Sequence, residues 1–149
     1  MDIRLSEVAE QDLSEIMALA MSVNEKHVIP LLSNEGQASI RTALKSDVEK
    51  LRDKAIYTAV KASSENQLLG YIAWRDGNYL GQLYVDSNYH GQGIARKLVE
   101  EMKLRCSENK ILVKASIYAL GFYQKVGFVP LADELSIKGM RYVPMALSL

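Results

Sequence analysis

The sequence predicts an α/β protein, a mixed α+β sheet of about six to seven strands flanked by about four helices. Apolar residues recur at helical spacing in the first third of the chain, and the middle third changes to runs rich in aromatic and β-branched residues. Short turns join three of these runs, so we expect them to be antiparallel neighbours. An amphipathic helix then leads to another apolar strand, and this strand–helix–strand unit from Tyr79 to Ala115 implies a locally parallel pair.

The composition is that of one ordinary globular domain. The chain has 149 residues, 18 basic and 18 acidic side chains and 48% apolar residues, with no repeat or linker, so we treat 1–149 as a single domain. A net charge of zero argues against nucleic acid binding. No apolar run is long enough for a membrane span, and the acidic N-terminus lacks a secretory signal. The single cysteine, Cys106, excludes an internal disulfide and a cysteine-rich metal site, and we expect a cytoplasmic location.

The first third of the chain predicts one strand and two helices. The strand is expected over Asp2–Leu5, where polar and apolar residues alternate, and the first helix from about Glu10. This helix should end near His27, because Pro30 disfavours helical geometry at the residue before it. The second helix is expected to begin at Asn34.

The middle of the chain predicts a three-stranded antiparallel unit. The strand candidates are Ala55–Lys61, Leu68–Trp74 and Tyr79–Asp86. A polar turn over Ser63–Gln67 separates the first two, and Asp76-Gly77, a strong signal for a two-residue hairpin, separates the second from the third.

The second half predicts two helices among three strands. The most regular helix covers about Gly93 to Ser107, and Ile111–Ala115 after it is a short apolar strand. Ser116 can cap a further helix over Ile117–Val126, which Gly127 would end. The apolar stripe of the longer helix consists of Ile94, Ala95, Leu98, Val99, Met102 and Cys106. The last predicted elements are the strands Phe128–Leu131 and Arg141–Leu147 and, between them, a polar loop over Ala132–Lys138.

The stretch Leu83–Lys97 predicts an anion site. A strand ends here, a short loop with Gly91 and Gly93 follows, and a helix begins at once. Glycines let the backbone approach a phosphate closely, and the first N–H groups of a helix have no partner within it. Arg96 and Lys97 in the first turn could add positive charge. The alternative is that the glycines only form a tight turn.

Other nucleotide-binding motifs do not fit this stretch. A dinucleotide fingerprint requires a third glycine at the position of Arg96, and the Walker pattern Gly-x-x-x-x-Gly-Lys-Ser/Thr is absent from the chain. A protein kinase would need a longer chain and its own catalytic signatures. What remains is a phosphate-bearing ligand held mainly by backbone groups.

Three segments resemble the GNAT family of acyl-CoA-dependent N-acetyltransferases. Its pyrophosphate loop reads Arg/Gln-x-x-Gly-x-Gly/Ala between a strand and a helix. The six positions here are His90, Gly91, Gln92, Gly93, Ile94 and Ala95, with His90 where Arg or Gln is usual. Ala115–Phe128 is similar to the family's downstream motif, a helix with Phe-Tyr that ends in Gly-Phe. Gly139–Met145 resembles the C-terminal segment of a branch of small GNAT proteins.

The resemblance implies an N-acetyltransferase with a GNAT-like fold, acetyl-CoA as co-substrate and no metal. An amine acceptor would attack the thioester directly, and Tyr123 would be the general acid that protonates the departing thiolate. Ser116 stands where many members have an asparagine beside the pantetheine arm. The residues implied to bind acetyl-CoA are Leu83, Tyr84, Val85, His90, Gly91, Gln92, Gly93, Ile94, Ala95, Arg96, Ser116 and Tyr123.

Several questions stay open at the level of sequence. The alternative function is a CoA-binding sensor or partner-binding module without catalysis on the same fold. The acceptor is a small molecule or a peptide amine, and homodimerisation is common in the family, but no residue here fixes either. Glu25, His27 and Glu35 lie in the region that lines the acceptor pocket in the family, and ordered water could equally take the proton, so no general base is assigned.

Overall fold

The computed structural model describes all residues from Met1 to Leu149 and contains eight strands and four α-helices. The strands are β1 (Arg4–Glu7), β2 (Tyr57–Ser64), β3 (Gln67–Arg75), β4 (Tyr79–Val85), β5 (Lys110–Ser116), β6 (Val129–Pro130), β7 (Leu135–Ile137) and β8 (Met140–Ser148). The helices are α1 (Leu13–Val23), α2 (Asn34–Glu49), α3 (Ile94–Arg105) and α4 (Leu120–Lys125). No helix is long and apolar enough to cross a membrane.

All strands join one sheet in the order β1-β2-β3-β4-β5-β8-β6, and β7 pairs with β8. Every pair is antiparallel except β4 with β5, which is parallel. The predicted mixed sheet is therefore confirmed, together with the antiparallel unit in the middle of the chain. In the β3–β4 hairpin both central residues are left-handed, Asp76 at φ 56° and Gly77 at φ 77°, the backbone that Asp-Gly favours.

The strand β7 corrects the polar loop expected over Ala132–Lys138. Its three residues are exposed, so no alternation of buried and exposed side chains signals a strand there. A tight turn at Lys138 and Gly139, both with positive φ, folds β7 back onto β8. The sheet consequently has eight strands instead of six to seven.

Several predicted boundaries shift. β1 begins two residues later than expected, and the first helix passes through a π-helical turn, Asn24–Val28, after α1 ends. Pro30 is accommodated in the next short 3₁₀ turn, where its missing N–H leaves no bond unmade. Cys106 lies beyond the end of α3 and is half-buried, with its thiol donating to the Gly77 carbonyl at 3.2 Å, so the expectation of a buried helix position is wrong.

The helices cover both faces of the sheet and divide the core in two. α3 and α4 pack on one face over a cluster that includes Leu98, Met102 and Phe128. α1 and α2 pack on the other face over a cluster that includes Ile16 and Leu44. In the middle of the sheet β4 and β5 separate, and the predicted site residues gather at this point.

The contact between α2 and the β7–β8 turn leaves no room for a side chain at Gly36. A Cβ built on Gly36 would lie 2.2 Å from the carbonyl oxygen of Gly139. Because this neighbour is backbone, it could make room only by a shift of the main chain. We expect Gly36→Ala to lower the free energy of unfolding by about 1–3 kcal/mol, as overpacking does in other cores. Urea denaturation followed by circular dichroism measures this change.

Gly121 supplies the matched control for that substitution. It is also helical, in α4, but a Cβ there would meet nothing within 4 Å. Gly121→Ala should raise the stability by up to about 1 kcal/mol through helix propensity alone. Equal effects of the two substitutions would contradict the proposed crowding at Gly36.

Candidate active site

The site begins where the parallel pairing of β4 with β5 stops. Only Tyr79 with Leu112 and Leu80 with Val113 are paired, although β4 continues to Val85 and β5 to Ser116. Beyond Leu80 the two strands diverge, and the β4 backbone groups on that side have no strand partner. Free N–H and C=O groups in a cleft are suited to an amide-rich ligand.

A groove of about 540 Å³ occupies this gap. The sequence-predicted binding residues line it, with one exception, Gln92, whose side chain is exposed on the loop. The lining residues that were predicted are Leu83, Tyr84, Val85, His90, Gly91, Gly93, Ile94, Ala95, Arg96, Ser116 and Tyr123. The fold thus brings β4, the glycine loop, the start of α3 and α4 to one cleft.

The glycine loop has the geometry of an anion cradle. Gly91 and Gly93 have φ values of 81° and 78°, left-handed backbone that favours glycine, and Gly93 caps α3. A Cβ at either position would meet nothing within 4 Å, so the space above the loop is open. The first N–H groups of α3, a helix of 12 residues, face this space with the positive end of the helix dipole. Arg96 in the first turn adds a positive charge to the groove.

Tyr123 lies deep in the groove on α4. Its side chain is 5% exposed and packs edge-on between Phe122 and Phe128, with ring centroids 5.3 and 5.2 Å away. Burial raises the pKa of the Tyr123 phenol well above its usual range, and Tyr84 and Tyr79 nearby add to the rise. The hydroxyl is therefore protonated at neutral pH and can only act as a proton donor.

The turn before α4 holds Ser116 in a capping role. Its hydroxyl accepts a hydrogen bond from the N–H of Ala119 at 3.2 Å, and regular helix begins only at Leu120. The expected helix start at Ile117 is therefore too early by three residues. Asp86 caps the short turn before the glycine loop in the same way, accepting from the N–H of Asn88 at 2.9 Å.

An aromatic cluster at the mouth of the groove was not predicted. His27 stacks on Tyr118 with ring centroids 4.5 Å apart, and His90 lies 5.5 Å from His27. One imidazole nitrogen of His90 is 2.9 Å from the carbonyl oxygen of Val85, while Nε2 of His27 is 2.9 Å from the Ser87 hydroxyl. Burial and the neighbouring His90 lower the pKa of His27. The cluster ties the end of the first helical segment to the loop and to the turn before α4.

Sequence reasoning could not find this cluster, because its members come from three separate segments. His27 and His90 were singled out one by one, but only the tertiary fold places them together. Tyr118 lies in the first turn of the helix predicted over Ile117–Val126, and no residue pattern singles it out. Its proximity to two histidines is the only signal, and that signal is absent from the sequence.

A second cavity of about 300 Å³ opens on the other side of the strand gap, beneath α2 and β8. Six residues line both this cavity and the groove and form the boundary between them: Val28, Leu83, Tyr84, Ser116, Ala119 and Tyr123. Its walls are mainly apolar, and Asp47 of α2 is the only acidic residue among them. A ligand in the groove and a second ligand in this cavity would meet at Tyr123.

None of the three acidic or basic side chains considered for proton abstraction lines either space. Glu25 forms an ion pair with Arg41, with Nε and Oε1 2.7 Å apart, and Arg41 lowers the pKa of its carboxyl. Glu35 is exposed on the first turn of α2, and His27 faces Ser87 and Tyr118. The structure therefore gives no reason to choose a base among them.

The split sheet and the glycine loop at a helix N-terminus are features of an acyltransferase. The sequence matches the model of the acetyltransferase (GNAT) domain over residues 30–149. The chain belongs to the GNAT family of acetyltransferases. The membership expected from the glycine loop and the Phe-Tyr helix is confirmed, and so is the expected enzyme class.

Solved structures of other proteins share the fold over the whole chain. The GCN5-related N-acetyltransferase from Rhodopseudomonas palustris superposes with a TM-score of 0.84 at 20% identity, covering 100% of this chain and 97% of the other. The PaiA N-acetyltransferase from Thermoplasma acidophilum, in complex with coenzyme A, gives 0.78 at 19% identity and full coverage of both chains. The apo form of YjaB from Escherichia coli gives 0.74 at 24% identity, covering 99% and 97%. At these identities the likeness concerns the fold.

Proposed function

We propose that this protein transfers the acetyl group of acetyl-CoA to an amine that enters from the second cavity. The observation that carries the proposal is the gap between β4 and β5. This gap lies between the groove, which ends at the glycine loop, and the mainly apolar second cavity. Tyr123 lines both. The complex of the Thermoplasma protein with coenzyme A supports the choice of co-substrate.

The groove residues suit the parts of acetyl-CoA in order along its length. The N–H groups at Gly91–Arg96 and the Arg96 side chain would hold the pyrophosphate, which needs the open space that glycine leaves there. The backbone groups of Leu83, Tyr84 and Val85 that face away from β3 would bond the amides of the pantetheine arm, apart from the Val85 carbonyl, which His90 contacts. The thioester supplies an acetyl group that is activated toward an amine.

Tyr123 would complete the transfer by protonating the sulfur. A bond forms between the amine nitrogen and the carbonyl carbon, and the carbon–sulfur bond breaks. The phenol gives its proton to the sulfur as that bond breaks, and a proton lost by the amine restores the phenol through solvent. The buried, protonated hydroxyl of Tyr123 at the boundary of both spaces supports this role.

The direct test combines a binding measurement with a turnover measurement. We expect acetyl-CoA to bind to the purified protein in a calorimetric titration. Free thiol should then appear only when an amine is added, in a panel of alkyl monoamines, diamines, amino acids and peptides with a free N-terminus. Coenzyme A without the acetyl group should bind and release nothing further. Binding without acetylation of any amine would favour the sensor alternative, and absence of binding would overturn the proposal.

A further inference from the structure

The far end of the second cavity carries a carboxylate without a partner. Asp47 is partly buried on α2, and its carboxylate oxygens make no hydrogen bond or ion pair in the structure. Its backbone carbonyl accepts a hydrogen bond from Nε2 of Gln82 at 3.0 Å. Burial raises the pKa of the Asp47 carboxyl, against the smaller opposite effects of Lys50 and Arg75. A half-buried charge without a partner is costly, and a cationic ligand group would remove that cost.

Three of the basic residues nearby are engaged elsewhere, and Lys50, three positions after Asp47, makes no hydrogen bond or ion pair with it. Arg75 forms an ion pair with Asp76 and lies over the ring of Tyr79, with its guanidinium carbon 4.4 Å from the centroid. Arg141, which also lines the cavity, is paired with Glu134. The exposed Lys114 holds its ammonium 5.4 Å from the ring centroid of Tyr142. None of them forms an ion pair with the Asp47 carboxylate.

Asp47 is also remote from the reacting end of the cavity. It lines the second cavity and not the groove, whereas Tyr84 and Tyr123 line both. The bond from Gln82 places the Asp47 backbone beside β4, the strand that also carries Tyr84. The walls of the second cavity are mainly apolar and include Leu44, Ala43 and Val113. A carboxylate that lines this cavity but not the groove suits the non-reacting end of an acceptor.

We propose that the acceptor carries a second cationic group, which Asp47 binds, joined to the reacting amine by a short apolar chain. The inference rests on the proposed function, because it assigns the reacting amine to the boundary at Tyr123. The substrate class is thus an alkyl diamine or a compound with that spacing of two amines. A monoamine of the same chain length would leave Asp47 without a partner and lose the charge-assisted hydrogen bond.

The test compares hexylamine with hexamethylenediamine, which differ only in the second ammonium group. We expect wild-type kcat/KM to favour the diamine by ~10-fold or more, the scale of a hydrogen bond between charged groups. The diamine has two equivalent amines, and this statistical factor accounts for only a twofold preference in kcat/KM. Asp47→Asn should reduce the preference to about that twofold factor by lowering kcat/KM for the diamine. Glu49→Gln, an exposed carboxylate on the same helix, should retain the full preference.

A calorimetric titration of both amines into the protein saturated with coenzyme A separates the two proposals. If the wild type binds the diamine more tightly than the monoamine and Asp47→Asn does not, the inference is supported even without turnover. If no amine is then acetylated, only the proposed function is overturned. Turnover of both amines with equal kcat/KM, or a preference that survives Asp47→Asn, overturns the inference and leaves the acetyl transfer standing. Absence of any binding difference between the amines also overturns it.

Discussion

Tyr123→Phe is expected to slow acetyl transfer by ~10²-fold or more while the protein stays folded and still binds acetyl-CoA. The substitution removes one hydroxyl and keeps the ring that packs between Phe122 and Phe128. A positioned proton donor acts mainly in the transition state, so the loss should appear in kcat with KM nearly unchanged. Product release could mask the effect in steady state, so single-turnover rates are the appropriate measurement.

Tyr57→Phe is the control for this substitution. Tyr57 lies on β2, lines neither the groove nor the second cavity, and loses the same hydroxyl. Its single-turnover rate should equal that of the wild type. If folded Tyr123→Phe protein also acetylates its acceptor at the wild-type single-turnover rate, Tyr123 only packs against its aromatic neighbours and the donor is another group.

Gly93→Val is expected to abolish measurable acetyl-CoA binding. In the free protein a Cβ at residue 93 meets nothing within 4 Å, so the branched side chain would extend into the space that we assign to the pyrophosphate. It would also strain a backbone with φ of 78°, which disfavours side chains with a branched Cβ. Calorimetry measures the affinity, and circular dichroism shows whether the fold is kept.

The strain and the loss of phosphate space can be separated with Gly77→Val. Gly77 has a φ of 77°, nearly the same as Gly93, but it lies in the β3–β4 hairpin and does not line the groove. This substitution should destabilise the protein at least as much as Gly93→Val, because its Cβ would also lie 3.0 Å from the Ser107 hydroxyl, and it should leave acetyl-CoA affinity unchanged. Undiminished affinity in folded Gly93→Val protein would show that the phosphates lie elsewhere.

The local features of the groove could be predicted from the sequence because each is encoded within one short segment. The end of β4, the two glycines and the start of α3 are consecutive in the chain, and their order alone indicates an anion cradle. The Asp76-Gly77 hairpin is local in the same sense, since both left-handed φ values belong to adjacent residues. The mixed sheet followed from the helix between β4 and β5, which requires a parallel return.

The exposed strand β7 shows where that reasoning fails. A strand is recognised by alternation of buried and exposed residues, and Leu135–Ile137 has none because all three residues are exposed. Its pairing with β8 and the turn at Lys138-Gly139 define it instead. The shift of the helix start to Leu120 has a similar cause, since a hydrogen bond within the Ser116–Ala119 turn replaces the first helical turn.

Only the tertiary structure decided how the groove and the second cavity meet. His27 and Ser87 are 60 positions apart yet lie within hydrogen-bond distance, and Asp47 reaches the site because α2 packs beneath β4. The sequence by itself determined the family and the loop that would hold a phosphate. The fold determined that β4 and β5 separate after Leu80, and hence that Tyr123 borders two spaces. Contacts between distant segments depend on how the whole sheet is packed, and no local pattern records them.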